Sequence, residues 1–444
     1  MQKKISLTIQ NFSPNLRKIL SNASWLIAER VLRMAVGFFI LAWMARYLGV
    51  DEFGLLNYAI SFVIIFATIA HLGLNHFVVR DSVSEPSRKD EILGTAFLLR
   101  LMSGIAAFLL VTGIIFFLRP DDQLSRIVVV IVAATLLFQE FNVIDDWFQS
   151  QVQSKYAVSA RNTAFIIMTL VRVILIQSKA PLIGFALAYS IESALTVIGL
   201  VIAYQVSGQK IQAWRGKWLR AKNLMKVSWP LIFSNLAIMV YLYIDQIMLG
   251  QLADNKAVGV YAAAVRLSET WPFMATAIVS SAAPSIIAAK QVSETLYYEK
   301  IQKVCNFLEL LVYSIAIPMT FFSTPLVVLI FGQEYAPAGG ILSIHIWSSL
   351  FVFLGYVKNI WIATEELTGF AVAASTLGAA MNIVLNILLI PRYQGIGAAI
   401  ATVISYGCAD YVMCFLYPPA RKFAWVMTKA IGLNGITMMM KGKA

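Results

Sequence analysis

The chain has 444 residues, of which 59% are hydrophobic and 13% are charged, and its formal net charge at pH 7 is +12. Soluble globular proteins carry about 25% charged residues, so this composition excludes a soluble protein and places much of the chain in lipid. The positive charge could indicate nucleic-acid binding, but basic cytoplasmic loops of a membrane protein give the same sum, and we predict no nucleic-acid partner.

Twelve apolar segments follow a polar, basic N-terminal tail. Each is close to the length of about 20 residues that a transmembrane helix needs. We therefore predict an all-α integral membrane protein, with 12 transmembrane helices in two six-helix lobes around a central cavity. The predicted segments are 24–48, 55–79, 92–118, 126–148, 160–177, 181–205, 228–250, 258–287, 302–331, 339–363, 367–390 and 396–417. The predicted domains are a tail 1–22, an N-lobe 23–206, a linker 207–226, a C-lobe 227–417 and a tail 418–444.

Lysine and arginine are concentrated in both tails, in the linker and in alternate loops. Basic residues mark the cytoplasmic side of a membrane protein, so both termini are predicted to be cytoplasmic. The basic linker, which contains Trp214 and Trp218, is predicted to lie along the lipid surface.

The chain also repeats itself. Gly54 follows the first segment as Gly259 follows the seventh, and Gly184 opens the sixth as Gly397 opens the twelfth, at similar intervals. Six segments in each half give a parallel repeat, which is typical of transporters that rock two lobes about a central site.

Several charged side chains fall inside the predicted spans. A charge at the bilayer centre costs about 2.5–3.5 kcal/mol on insertion scales, so these groups must line a watery cavity, pair with one another or lie near an interface. The candidate cations for a cavity are Arg30, Arg33, Arg100, Arg172 and Arg266.

Each candidate has an alternative interpretation. Arg30 and Arg33 could form a self-paired cluster near the cytoplasmic interface, and Arg100 and Arg172 could belong to interhelical ion pairs. His71 stands alone in its segment and could serve either as a hydrogen-bonded histidine between helices or as a proton relay.

A second constellation lies in the C-lobe. Asn382 and Asn386 are four residues apart, so their amides share one helix face, and Thr402 lies on the next segment. With Asp245 they supply the oxygen ligands that small hard cations prefer. Two alternatives stay open here: the asparagines could hydrogen-bond between helices, and Asp245 could form an ion pair with Arg266.

Motifs of nucleotide, zinc and serine-hydrolase chemistry are absent from the sequence, and so is a large hydrophilic domain. We predict that the chain is not an enzyme. No cofactor is predicted, apart from a possible Na⁺ or H⁺ as coupling ion.

A family resemblance rests on motifs in order over about residues 20–417. The strongest are Ser228-Trp229-Pro230-Leu231, Ile244-Asp245-Gln246-Ile247-Met248-Leu249-Gly250, Val258-Gly259-Val260-Tyr261 and Phe331-Gly332-Gln333-Glu334-Tyr335. With them the chain resembles polysaccharide-biosynthesis flippases of the O-antigen and exopolysaccharide type, within the multidrug/oligosaccharidyl-lipid/polysaccharide exporter superfamily.

The resemblance implies export of a polyprenyl-diphosphate-linked oligosaccharide from the cytoplasmic to the periplasmic leaflet by alternating access, coupled to a cation. It implies a place in a bacterial inner membrane, with membrane lipids, a polysaccharide polymerase and chain-length machinery as further partners. A cationic cavity suits the diphosphate. Of the five arginines above, Arg30 and Arg266 match cavity arginines of the related lipid II flippases.

Those relatives also hold sodium between helices 7, 11 and 12. Asp245, Asn382, Asn386 and Thr402 match that site, together with a backbone carbonyl near Ala398. Asn386 is a departure, because a carboxylate would bind a cation better.

Two other functions compete with this one. An antiporter for small cationic drugs would require an acidic cavity, and a membrane-embedded polymerase or ligase would require a large periplasmic loop.

Overall fold

The structure, a computed structural model, describes residues 14–432, with side chains from residue 33 onward except at position 35. All regular secondary structure in this range is helical, which confirms the all-α class. The α-helices of the first half are α1 Pro14–His71, α2 Asn75–Ser84, α3 Lys89–Leu118, α4 Gln123–Ala133, α5 Thr135–Phe138, α6 Val143–Ser150, α7 Lys155–Gln177 and α8 Leu182–Val206. Those of the second half are α9 Trp218–Leu252, α10 Asn255–Ser268, α11 Pro272–Val292, α12 Glu294–Phe331, α13 Ala338–His345, α14 Ser348–Thr364, α15 Thr368–Tyr406, α16 Met413–Leu416 and α17 Arg421–Ile431.

Within the described residues, 10 helical stretches are long and apolar enough to cross a membrane. Many large apolar side chains on them are exposed, such as Phe117 at 85% and Leu329 at 74%. Such a surface is stable in lipid and not in water. The chain is therefore a multi-pass membrane protein. The count of 12 helices in two lobes stays a prediction.

Two of these stretches, Val36–Ser84 and Thr368–Leu416, are 49 residues long and contain a backbone break. In α1 the break is at Gly49, whose φ of 71° costs a glycine little. In α15 it is at Gln394, whose φ of 47° and ψ of −126° are strained for a residue with a side chain. Both breaks fall where the hydropathy pattern separates two predicted segments.

The described chain divides into two compact units. The first comprises residues up to Leu48 together with Phe62–Leu236, and the second comprises Gly49–Ser61 together with the chain from Ala237 onward. The unit boundaries thus fall inside helices α1 and α9, whereas the predicted lobes meet at the two ends of the linker 207–226.

The predicted linker packs against the first unit. Trp214 contacts Phe97 and Tyr204 with ring centroids 5.4 Å and 5.8 Å apart, and its Nε1 donates to the Tyr204 hydroxyl over 3.1 Å. The backbone N–H of Arg215 donates to the carbonyl of Asp90 over 3.0 Å. Trp218, which already belongs to α9, is 82% exposed. Of the two tryptophans predicted to lie along the lipid surface, only Trp218 is exposed in this way.

In the second unit, the two glycines that the repeat analysis matched lie against each other. A Cβ on Gly54 would sit 1.8 Å from the carbonyl oxygen of Asn255, and a Cβ on Gly259 would sit 2.0 Å from that of Val50. The backbones of α1 and α10 therefore approach as closely as helices can, and only glycine fits at the crossing.

The C-terminal helix α17 packs on α12 and α14 through its buried face. Phe423 stacks on Trp361 with ring centroids 5.1 Å apart, and Met427 is buried, while Lys422 reaches Glu294 over 2.7 Å. The predicted C-terminal tail therefore begins with an ordered amphipathic helix. Residues 433–444, like the N-terminal residues 1–13, lie outside the described range.

Candidate functional site

A buried carboxylate forms the centre of a polar cluster in the second unit. Asp245 on α9 is 3% exposed. Its Oδ2 accepts hydrogen bonds from the hydroxyls of Tyr261 over 2.6 Å and Thr402 over 2.5 Å, and its Oδ1 accepts one from Nδ2 of Asn386 over 2.5 Å. All three donors are neutral, and no ion pair with a described cation is present. The ion pair between Asp245 and Arg266, which was the predicted alternative, is therefore not formed.

The helix geometry explains the convergence. Asn382 and Asn386 lie one turn apart on α15, and Nδ2 of Asn386 donates to Oδ1 of Asn382 over 3.1 Å. Beyond the break at Gln394, the same helix returns with Thr402, whose hydroxyl also donates to the carbonyl of Ala398 over 3.0 Å. The structure thus brings together every residue predicted for the cation site.

The cluster has the chemistry of a site for a hard cation. It offers a carboxylate, two amides, a hydroxyl and a backbone carbonyl, all with oxygen atoms and all buried. Oδ1 of Asn386 and Nδ2 of Asn382 are buried without a hydrogen-bond partner among the described residues. Orphaned buried amide atoms are uncommon, and turning the Asn386 amide would direct its Oδ1, together with Oδ1 of Asn382 and Oδ1 of Asp245, toward one ligand.

Sequence reasoning missed one member of the cluster. Tyr261 is 2% exposed, donates to Asp245 and lies 3.2 Å from the Thr402 hydroxyl. It belongs to the motif Val258-Gly259-Val260-Tyr261, which is one of those that carry the family resemblance. The sequence held one signal for it: the tyrosine ends the motif around Gly259 that the internal repeat matches, and it lies inside an apolar segment.

Arg266 stands apart from this cluster on a helix that is otherwise buried. In α10, every residue from Ala257 to Ser268 is buried except Arg266, which is exposed. No ion pair joins it to a described residue, although Glu269, which is also exposed, lies near enough to interact electrostatically. A free guanidinium in an apolar protein is available for an anionic ligand.

The first unit holds its predicted cations in ion pairs. Arg172 binds Glu192 over 2.6 Å, and Arg33 reaches the same carboxylate over 3.5 Å and donates to the carbonyl of Arg161 over 2.7 Å. Arg33 also stacks over Phe165 at 5.0 Å. This is the arrangement that the ion-pair alternative predicted for Arg172. The side chain of Arg30 lies outside the described residues.

Arg100 is fully buried and belongs to a second charged group of the first unit. It binds Oδ2 of Asp146 over 2.7 Å and Oδ1 of Asn75 over 3.0 Å. Nearby, Nδ1 of His71 lies 3.9 Å from Oε2 of the buried Glu140. The histidine that stood alone in its sequence segment therefore has a carboxyl neighbour.

Fold and site together define a multi-pass, all-helical membrane protein that keeps charged and polar clusters within each of two compact units. The model of one family, described as polysaccharide biosynthesis protein, matches residues 19–290. That match spans more than half of the chain, and the chain belongs to this family.

Among the relatives found in sequence, one matches nearly the whole chain and another matches half of it. The probable low-salt glycan biosynthesis flippase Agl15 of Haloferax volcanii is 22% identical over 430 residues, which cover 94% of this chain and 88% of the relative. The probable flippase AglR of the same organism is 27% identical over 230 residues, 50% of this chain and 46% of the relative.

Among solved structures, the lipid II flippase MurJ in an inward closed conformation has a TM-score of 0.72 at 15% identity, covering 94% of this chain and 93% of that one. An inward-facing multidrug resistance transporter of the MATE family has a TM-score of 0.66 at 13% identity, covering 91% and 95%. The fold is thus shared with transporters of the MOP superfamily.

Proposed function

We propose that the protein is a flippase that carries a polyprenyl-diphosphate-linked oligosaccharide across the cell membrane, from the cytoplasmic to the outer leaflet. The observation that carries the proposal is the similarity over 94% of the chain to a probable glycan-biosynthesis flippase. Membership of the polysaccharide biosynthesis family supports it, and so does the fold shared with a lipid II flippase. In this role the chain is a transporter and not an enzyme.

Twelve crossings are the topology that this function would use. A helix rises about 1.5 Å per residue and the hydrocarbon core is about 30 Å thick. Each 49-residue stretch is therefore about twice as long as one crossing requires, and each contains a break, at Gly49 or at Gln394, where the sequence separates two apolar segments. Two crossings in each of these and one in each of the other eight give 12, with both termini on the basic, cytoplasmic side of a bacterial inner membrane or its equivalent.

Arg266 is the residue that we assign to the diphosphate. It is exposed on an otherwise buried helix and forms no ion pair with the described residues. Guanidinium groups bind phosphate oxygens in a bidentate manner, so a single arginine can orient the head group. Arg33, whose side chain is 31% exposed, would first have to leave Glu192, which it reaches over 3.5 Å. Arg100 and Arg172 would first have to leave their carboxylate partners.

Asp245 and its neighbours are the residues that we assign to a coupling cation, Na⁺ or H⁺. Asn382, Asn386, Thr402 and the Ala398 carbonyl would complete the ligand set, and a bound cation would neutralise the buried carboxylate. Coupling requires that substrate and cation each prefer one orientation of the transporter, because a ligand that binds both orientations equally drives nothing.

The function is tested by inactivating the gene in its own host and locating the lipid-linked oligosaccharide. Accumulation in the cytoplasmic leaflet is the expected result. Drug sensitivity without accumulation would indicate a multidrug antiporter, and accumulation in the outer leaflet would indicate a polymerase or ligase.

Complementation with variants then tests the site. Arg266→Ala should abolish export, and Arg266→Lys should retain part of it because the charge is kept without the bidentate geometry. Arg126→Ala is the matched control, since Arg126 is a half-buried arginine whose guanidinium stacks on Phe116 at 5.0 Å. Asp245→Asn should remove sodium or proton dependence while the protein stays in the membrane. Full export by Arg266→Ala would refute the diphosphate assignment.

A further inference from the structure

A second buried carboxyl group, in the first unit, has no role in the proposed transport cycle. Glu140 is 0% exposed, and neither of its carboxyl oxygens has a hydrogen-bond partner among the described residues. It lies on the 3₁₀ turn Gln139–Asn142, where the helical stretch between α4 and α6 is interrupted. Burying an ionised carboxylate without partners costs several kcal/mol, whereas the protonated form avoids most of that cost. The site therefore accommodates a proton.

One titratable group connects this carboxyl to the surface of the unit. Nδ1 of His71, at the end of α1, lies 3.9 Å from Oε2 of Glu140, and the histidine side chain is 31% exposed. On the other side, Gly104 makes room for the carboxyl, because a Cβ there would lie 2.9 Å from Oε1.

The helices packed around the turn supply one cation that can respond to Glu140. Arg100 on α3 interacts electrostatically with Glu140, yet its hydrogen bonds go to Asp146 on α6 and to Asn75, and its Nε is buried without a partner among the described residues. Two other carboxylates near the turn are bonded to arginines of their own: Asp145 to Arg161 and Glu192 to Arg172.

We propose that Glu140 and His71 form a proton-binding site in the first unit, separate from the cluster around Asp245. A proton from solvent binds the imidazole of His71, and the Nδ1 proton passes to Oε2 of Glu140 as the gap closes or through one water molecule. The N–H bond breaks as the O–H bond forms, so that His71 ends neutral, Glu140 ends as a neutral acid, and one proton is taken up.

The proton would act on the structure through Arg100. When Glu140 is neutral, Arg100 stays with Asp146 and ties α3 to α6. When Glu140 is ionised, it competes with Asp146 for the guanidinium. The use of this exchange in driving export rests on the proposed function, but the proton site itself does not.

The test is a pH titration of the purified full-length protein by difference infrared spectroscopy, which needs no transport substrate. The carbonyl stretch of a protonated carboxylic acid identifies the neutral form. We expect such a band in the wild-type protein, its disappearance as the pH is raised, and its loss in Glu140→Gln. Glu309→Gln is the matched control: Glu309 is also 0% exposed, with both oxygens unpartnered among the described residues, but it lies in the second unit. This variant should keep the Glu140 band.

Two further variants leave Glu140 in place. His71→Asn should slow the response of the band to a pH jump and leave its titration midpoint unchanged, because the imidazole carries the proton and is neutral at both ends of the transfer. Asp146→Asn should lower the titration midpoint, since Arg100 is then free to turn to Glu140. An unchanged titrating band in Glu140→Gln would overturn the proposal. So would a band in His71→Asn that responds to a pH jump as fast as in the wild type, or a titration curve of Asp146→Asn that matches the wild type. Because no glycan is present, these results stand whether or not the protein proves to be a flippase.

Discussion

The contact between Gly54 and Gly259 leads to a quantitative prediction. A Cβ on Gly54 would lie 1.8 Å from the carbonyl oxygen of Asn255 and 2.8 Å from the backbone nitrogen of Gly259. Both neighbours are backbone atoms, so no side-chain rotation can relieve the overlap. The two helices would have to separate by about 1 Å or more to restore van der Waals contact.

That separation has a cost that can be estimated. Overpacking a tight contact typically destabilises a protein by about 1–3 kcal/mol. The same movement would strain the hydrogen bond from Nε2 of Gln251, in the last turn of α9 just before α10, to the Tyr58 hydroxyl of α1, which spans 2.6 Å, and such a bond contributes about 1 kcal/mol. We therefore expect Gly54→Ala to cost about 3 kcal/mol.

The measurement is the temperature at which the detergent-purified protein loses its monodisperse folded peak on size-exclusion chromatography. Gly113→Ala is the control. Gly113 lies inside α3, and a Cβ there meets nothing within 4 Å. Alanine should be neutral or stabilising by up to about 1 kcal/mol at such a position. Equal thermal stability of Gly54→Ala and Gly113→Ala would refute the reasoning.

Three further variants probe charged groups. Arg220 binds Glu85 over 2.7 Å and is the main cause that holds the pKa of this exposed carboxyl below its usual range. The Glu85 carboxylate therefore stabilises the fold above its ordinary pKa, and this stabilisation is lost as the pH falls through the lowered pKa. Arg220→Gln should reduce this loss of stability at acid pH, as measured by thermal melts across the pH range. Lys358→Met leaves Asp410 without its ion-pair partner, which should cost about 3 kcal/mol, whereas the double variant Lys358→Met/Asp410→Leu should regain most of it in the same assay. Asn386→Asp adds a carboxylate to the proposed cation site. The melting temperature of this variant should be lower than that of the wild type without Na⁺ and should rise more when Na⁺ is added. An equal rise with sodium and with choline would contradict the cation site.

Much of the fold could be predicted from the length and hydropathy of the apolar segments. The predicted bounds 302–331 and 339–363 lie close to the observed Glu294–Phe331 and Ala338–Thr364. The early start of α9 at Trp218 could not be predicted from hydropathy. Its first turns are basic and amphipathic, and hydropathy indicates only the apolar span that follows. The interruption at residues 134–142 was missed for a similar reason, since a 3₁₀ turn in an apolar run leaves no mark in composition.

The candidate site was predictable where helix spacing decides it and not where long-range packing does. Asn382 and Asn386 are four residues apart, so one helix fixes their common face. Thr402 is 157 residues from Asp245, and nothing local in the sequence brings these two together. The family resemblance supplied that pairing. Tyr261 remained unassigned because a buried tyrosine in an apolar segment is indistinguishable by type from an ordinary core residue.

The distribution of unpaired charge separates residues that hold the fold from residues able to bind ligands. Because lipid offers no solvation, a buried ion needs a partner, and Arg100 and Arg172 each have a carboxylate within 2.7 Å. Arg266 is exposed without such a partner among the described residues, and Asp245 and Glu140 are buried carboxyl groups without a cation bonded to them. A charge that the protein itself does not compensate has to be compensated by something bound. An anionic head group would do this for Arg266, and a small cation or a proton would do it for Asp245 and Glu140, so these three exceptions to pairing are positions where ligand binding and conformational preference can be linked.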